Sequence, residues 1–299
     1  MHVFVTGATG WIGSSVVDQL LDAGHEVTGL ARSDASAAAL ERKGARPRRG
    51  DLDDLDSLRA GSADADAVVH LANKHDFADP AMTNQTERDA VLTIGEALAG
   101  SHRPFVLASA LALLAPGRLA TEQDRSPAHG AGSLRGGSEN LALEFVERGV
   151  GTIVVRFAPT VHGDGDHRGF ITGLVATARA KGVSAYLGDG TNRWAAIHRS
   201  DAGRIVQLAL DKHAPAGTVL HAAAETGIPT RDIAEAIGRE LDLPVVSVPA
   251  DRGDEHFGWL SRFFGADMAA GSDATRALLG WSPSGPGLFE DLDSGCYYR

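Results

Sequence analysis

The 299-residue chain is 43% hydrophobic and 22% charged, an ordinary globular profile, and it is long enough for a large α/β domain or a main domain with a smaller lobe. Its formal net charge is −11, and its longest basic patch is Arg46-Pro47-Arg48-Arg49, which argues against a nucleic-acid-binding face. No run of about 18 apolar residues exists, so no membrane span is expected, and the single cysteine, Cys296, can form no internal disulfide, which fits a cytoplasmic location. Met1 to Thr6 reads directly as a core strand, leaving no room for a signal peptide. The only lysines are Lys43, Lys74, Lys181 and Lys212, while Ala, Gly and Arg abound, a composition that suggests a GC-rich bacterial source.

That first strand runs straight into Gly7-Ala8-Thr9-Gly10-Trp11-Ile12-Gly13 and then into helical spacing at Val16, Val17, Leu20 and Leu21. Strand, glycine-rich turn and helix stand in the order a dinucleotide site needs. Gly7 permits the tight turn, Gly10 lets backbone approach a pyrophosphate, and Gly13 lets helix pack on strand. His25 to Leu30 is a second strand, ending at Ala31-Arg32-Ser33. An acidic residue here would suit the ribose hydroxyls of NAD(H). Arg32 and Ser33 instead suit a 2′-phosphate, so NADP(H) is expected ahead of NAD(H), although Asp34 would repel that phosphate. Further strands are expected at Ala45–Gly50, Asp66–Ala72, Pro104–Ser109 and Gly151–Phe157, with helices at Ala35–Lys43, Leu55–Ala60 and Pro80–Ala99. Asp51, with Leu52 after it, follows the third strand, where it can meet an adenine amino group or cap the next helix.

This alternation predicts a Rossmann-like, doubly wound parallel sheet with a smaller C-terminal substrate lobe. Residues 1–160 form the dinucleotide-binding core, 199–224 return to the sheet, and 161–198 with 225–299 build the lobe. Ligands in such sheets lie beyond the carboxyl ends of the strands, here Thr6, Leu30, Gly50, Ala72, Ser109 and Ala158. In the last third, Gly217–Ala223 and Val245–Val248 read as strands and Pro229–Leu241 as a helix, and His256 to Phe264 is the most aromatic stretch.

The T-G-A-T-G-W-I-G turn, D-L after the third strand, V-V-H-L-A and the strand ending in Ser109 resemble an extended short-chain dehydrogenase/reductase, within the NAD-dependent epimerase/dehydratase family. Arg156 to Gly163, Gly188 to His198 and Asp201-Ala202-Gly203 resemble that family's later motifs. The resemblance implies cofactor contacts at Gly7, Thr9, Gly10, Trp11, Ile12, Gly13, Arg32, Ser33, Asp51, Leu52, Leu71, Ala72, Asn73, Pro159 and Val161, and a substrate contact at Ser109. It also implies a Tyr-x-x-x-Lys pair about 25 residues past the serine. Here Arg135 stands at the tyrosine position and Glu139 at the lysine position, or Leu134 and Ser138 if the register shifts by one; neither register restores the pair, so the chain resembles an atypical member that lacks it.

A replacement proton donor is then sought among His75, which Asp76 could orient, His162, His198 and Tyr186, with Lys74 able to approach the nicotinamide ribose and Trp194 beside the substrate. His162-Gly-Asp164-Gly-Asp166-His167 matches no zinc or calcium pattern, so no metal is expected. The expected function is NADP(H)-dependent hydride transfer to a small or medium carbonyl or imine substrate. The alternatives are a redox-neutral epimerase, lyase or cyclase, or a redox-silent NADP(H)-sensing protein. The expected partners are a small-molecule substrate and, at most, a second copy in a homodimer.

Overall fold

Short runs of Val, Ile, Leu, Phe and Ala separated by amphipathic helices give the chain its layers, seen in a computed structural model that describes every residue except 75, 77 and 78. In the first half, strands β1 (His2–Thr6), β2 (Glu26–Ala31), β3 (Arg46–Arg49), β4 (Ala67–His70), β5 (Pro104–Ala110) and β6 (Gly151–Phe157) alternate with helices α1 (Trp11–Asp22), α2 (Asp34–Lys43), α3 (Leu55–Asp64), α4 (Pro80–Leu98) and α5 (Ser138–Glu144). There follow β7 (Thr160–His162), α6 (Phe170–Lys181), β8 (Ser184–Leu187), β9 (Arg193–His198), α7 (Arg199–Asp211), β10 (Thr218–Ala222) and β11 (Glu225–Pro229). The remainder is α8 (Thr230–Leu241), β12 (Val245–Val248), α9 (Gly253–Phe257), α10 (Ser261–Phe264), α11 (Asp273–Leu279) and α12 (Leu288–Asp293).

Seven strands make one parallel sheet in the order β10-β6-β5-β4-β1-β2-β3. The order reverses between β1 and β4, and that switch point opens the crevice where an α/β sheet receives a ligand. Both faces are covered, as an all-parallel sheet requires. Val16, Val17, Leu20, Ile205 and Val206 seal one face, and Leu58, Val91, Ile94, Leu98, Leu141 and Phe145 seal the other. The arginines near residue 48 occupy the edge strand β3, where Arg46 pairs with Glu26, Arg48 with Asp64 and Arg49 with Asp34. Charged side chains on an edge discourage further strand pairing, so the patch blunts the sheet.

Strand β9 links the two cores by its alternation. Ala195 and Ile197 belong to the sheet's core, whereas Trp194 and Ala196 belong to the lobe cluster with Ile171, Ile233, Phe257, Phe264 and Leu288. No helix among the described residues is long and apolar enough to cross a membrane.

Helix α4 approaches α5 at Gly95, where an added Cβ would lie 2.6 Å from the Phe145 ring. That ring is a fixed core element, so Gly95→Ala overpacks the site. A loss of about 1–3 kcal/mol is expected in denaturant unfolding, and unchanged stability would show this contact to be loose.

Candidate active site

The turn after β1 is shaped by clashes that only glycine avoids. Gly7 has φ +67°, and a Cβ there would meet the Ala72 nitrogen at 2.7 Å. A Cβ on Gly13 would fall inside the Gly7 carbonyl, so the first turn of α1 lies directly on the loop. Gly10 differs: its φ is −75° and its Cβ would meet only the Gly7 oxygen, at 3.1 Å. Helix α1 has no side-chain cap and no acidic residue in its first turn. Its leading N–H groups and positive dipole end are therefore left without a side-chain partner, the arrangement that holds a phosphate. A dinucleotide pyrophosphate fits this cradle.

Around it, Trp11 Nε1 donates to the Val161 carbonyl at 2.7 Å and the Arg199 guanidinium stacks 4.3 Å from the Trp11 ring, fixing the Pro159–Val161 stretch beside the turn. Ile12 packs on the sheet core. Arg32 is exposed and forms no ion pair among the described residues. Ser33 caps α2 by accepting from Ser36 N at 3.2 Å. Asp51 Oδ1 accepts from the Asp53 and Asp54 nitrogens at 2.8 and 3.1 Å, and Asp54, not Asp51, caps α3. Leu52 is buried, Leu71 and Ala72 are half-buried against the turn, and the Ala72 nitrogen donates to Thr6 Oγ1 at 3.3 Å.

At the end of β5, Ser109 Oγ donates to Glu139 Oε2 at 2.6 Å. Glu139 is buried and is gripped by Arg156, whose Nη2 lies 2.5 Å from Oε1 and whose Nε lies 3.1 and 3.2 Å from the two oxygens. One step along the same crevice wall, Arg135 is paired with buried Glu87, which also accepts from the Asn73 amide. Arg135, Gly136 and Gly137 all have positive φ, so helix α5 starts only at Ser138 and the 135 and 139 side chains do not share one regular helix face. Buried His70 lies 2.7 Å from Thr6 Oγ1, and its pKa is lowered to about 3, by burial first and by Arg135 second.

Residues 3–223 match the NAD dependent epimerase/dehydratase family. The chain belongs to that family. A Schizosaccharomyces pombe protein is 44% identical over the full length of both chains, and one from Saccharomyces cerevisiae is 42% identical over 98% of each. The 2′-dehydrokanamycin reductase of Streptomyces kanamyceticus is 31% identical over 84% of this chain and 70% of its own. Among solved structures, the UDP-glucose 4-epimerase of Thermus thermophilus in complex with NAD superposes with a TM-score of 0.72 at 22% identity, covering 98% of this chain and 96% of that one. The bacterial source suggested by composition finds no support here, since the full-length relatives named are fungal.

Arg135 and Glu139, the residues expected where the family carries its tyrosine and lysine, are each closed by an ion pair, Arg135 with Glu87 and Glu139 with Arg156. Of the candidate donors, His75 lies outside the described residues. Lys74 is tied to Asp53 at 2.7 Å. His162 is fully buried with Nδ1 donating to Asp291 Oδ2 at 2.6 Å, and Trp194 is fully buried with Nε1 donating to the Phe263 carbonyl at 3.2 Å. His198 caps α7, its Nδ1 accepting from Ser200 N at 3.3 Å. Tyr186 lies nearly buried on β8 beneath the Arg231 guanidinium. The Glu139–Arg156 and Glu87–Arg135 pairs join residues 17 and 48 positions apart, which no local sequence pattern signals.

For His162, burial is the largest influence and acts downward, but the bond to Asp291 and nearby Glu225 outweigh it and the pKa is raised. A histidine raised on folding contributes stability that is full below its unfolded pKa of about 6.5 and lost as pH rises through the folded value. Thermal unfolding from about pH 6 upward should therefore show a falling Tm that is shallower in Asp291→Asn. Parallel Tm profiles would contradict the pairing.

Proposed function

We propose that the protein is an NADP(H)-dependent oxidoreductase acting on a small or medium carbonyl or imine substrate. The observation that carries this reading is the Gly7–Gly13 turn, whose close approach leaves the start of α1 bare and uncapped for a pyrophosphate. Family membership, a reductase among the relatives and an NAD complex on the same fold support it. When bound, the dinucleotide supplies or accepts the hydride at its nicotinamide carbon. Trp11, Pro159 and Val161 would line its nicotinamide half, and Ser109 would contact the reacting group of the substrate.

The choice of NADP(H) rests on Arg32. It is exposed and unpaired among the described residues, while Asp34, the carboxylate that would oppose a 2′-phosphate, is drawn to Arg49. The two ion pairs at the tyrosine and lysine positions favour one second reading, a redox-silent NADP(H)-binding protein.

The test is NADPH absorbance against ketones, aldehydes and cyclic imines, with nucleotide binding followed in the same samples. Consumption is expected; tight binding without consumption selects the second reading. In Arg32→Ala, loss of a charge-assisted phosphate contact should weaken NADPH at least about tenfold and leave NADH unchanged. Equal weakening of both would remove the NADP(H) preference.

A further inference from the structure

Ser109 has a single proton, and that proton is already committed. Glu139, ion-paired with Arg156, has only lone pairs to offer, so the serine hydroxyl must be the donor of their 2.6 Å bond. Arg156 cannot turn aside to release Glu139. It is 1% exposed, and its Nη1 lies 3.2 Å from His221 Nε2. His221 in turn donates from Nδ1 to the Gly271 carbonyl at 2.8 Å, which leaves Nε2 as the acceptor facing Arg156. The direction of every bond in the chain from Gly271 to Ser109 is thereby fixed. Among the described residues no donor reaches Ser109 Oγ, so the half-buried serine presents lone pairs to the crevice.

We propose that Ser109 accepts a hydrogen bond from the substrate, with Glu139 as the residue that positions its proton, and that the site takes reacting groups that are donors, in the reductive direction a protonated imine. This rests on the reductase reading above. The step balances without a protein acid. Hydride from the reduced nicotinamide forms a C–H bond at the carbon of C=N–H⁺, and the π pair becomes the nitrogen lone pair. The product is a neutral amine that keeps the proton the iminium brought. A neutral ketone would instead become an alkoxide in need of a proton, facing an oxygen whose own proton points away. The absence of tyrosine at position 135 is then no handicap.

Calorimetry on the protein loaded with NADP⁺ tests this without turnover, using 2-methylpiperidine hydrochloride against 2-methyltetrahydropyran, the same ring with an ether oxygen in place of the ammonium. The ammonium should bind at least about tenfold more tightly, and Ser109→Ala should bring the two within about twofold. Glu139→Gln, whose amide N–H can donate to Ser109 and free its proton, should move the preference toward the ether. If that variant does not fold with Arg156 unpaired, Ser109→Ala decides alone. Equal binding by the native chain, or a preference that survives Ser109→Ala, overturns the proposal. Alongside, NADPH consumption should favour 2-methyl-1-piperideine over cyclohexanone, and the reverse order also overturns it. An intact ammonium preference with no consumption of either substrate keeps the serine's role and removes the reductase reading.

Discussion

The approach of α1 to the end of β1 governs the rest of the architecture. With no side chain at Gly13, the helix rests on the Gly7 carbonyl, and with none at Gly7 that loop rests on Ala72 after β4. Three neighbouring elements are thus held at backbone distance around the switch point of the sheet. Helix α7 comes close to α1 in the same way, since a Cβ on Gly203 would lie 2.9 Å from the Ser15 backbone. Trp11 then reaches from α1 to Val161 and stacks under Arg199, so one helix start fixes both walls of the crevice.

The second organising feature is charge buried beside the end of β5. Arg156–Glu139 and Arg135–Glu87 bring four charges into the crevice wall, with Arg156, Glu139 and Glu87 nearly or fully buried. Buried pairs of this kind add little net stability, but removing one partner costs about 3–5 kcal/mol. They are better understood as devices for direction: the Arg156 pair decides which way the Ser109 proton points, and the Glu87 pair ties Asn73 to α4.

Local physics made much of this legible from sequence. The strand–turn–helix opening, the strand rhythm and the helix from Pro229 to Leu241 are encoded by neighbouring residues, and all three stand in the structure within a few residues of expectation. Long-range pairings were not legible in the same way. His162 sits in a polar-looking loop sequence, yet its partner Asp291 is 129 residues away and takes it out of solvent. The neighbours of Trp194 in sequence place it beside the substrate, and it packs among Ile171, Ile233 and Phe264, residues that lie far from it along the chain. Glu139 shows the same limit, since nothing beside it in sequence points to Arg156, 17 residues on.

The most direct test of the account is dinucleotide binding to Gly10→Ala beside the native chain. Gly10 has an ordinary φ, and its Cβ would meet only the Gly7 oxygen, at a tight 3.1 Å, so the variant should fold with no more than a small loss of Tm. The new methyl would stand where a pyrophosphate must approach, and calorimetry should show NADPH binding at one site in the native chain and at least about tenfold more weakly in the variant. Equal affinity in a folded variant, or no binding by the native chain, would contradict the assignment of this turn as the dinucleotide seat.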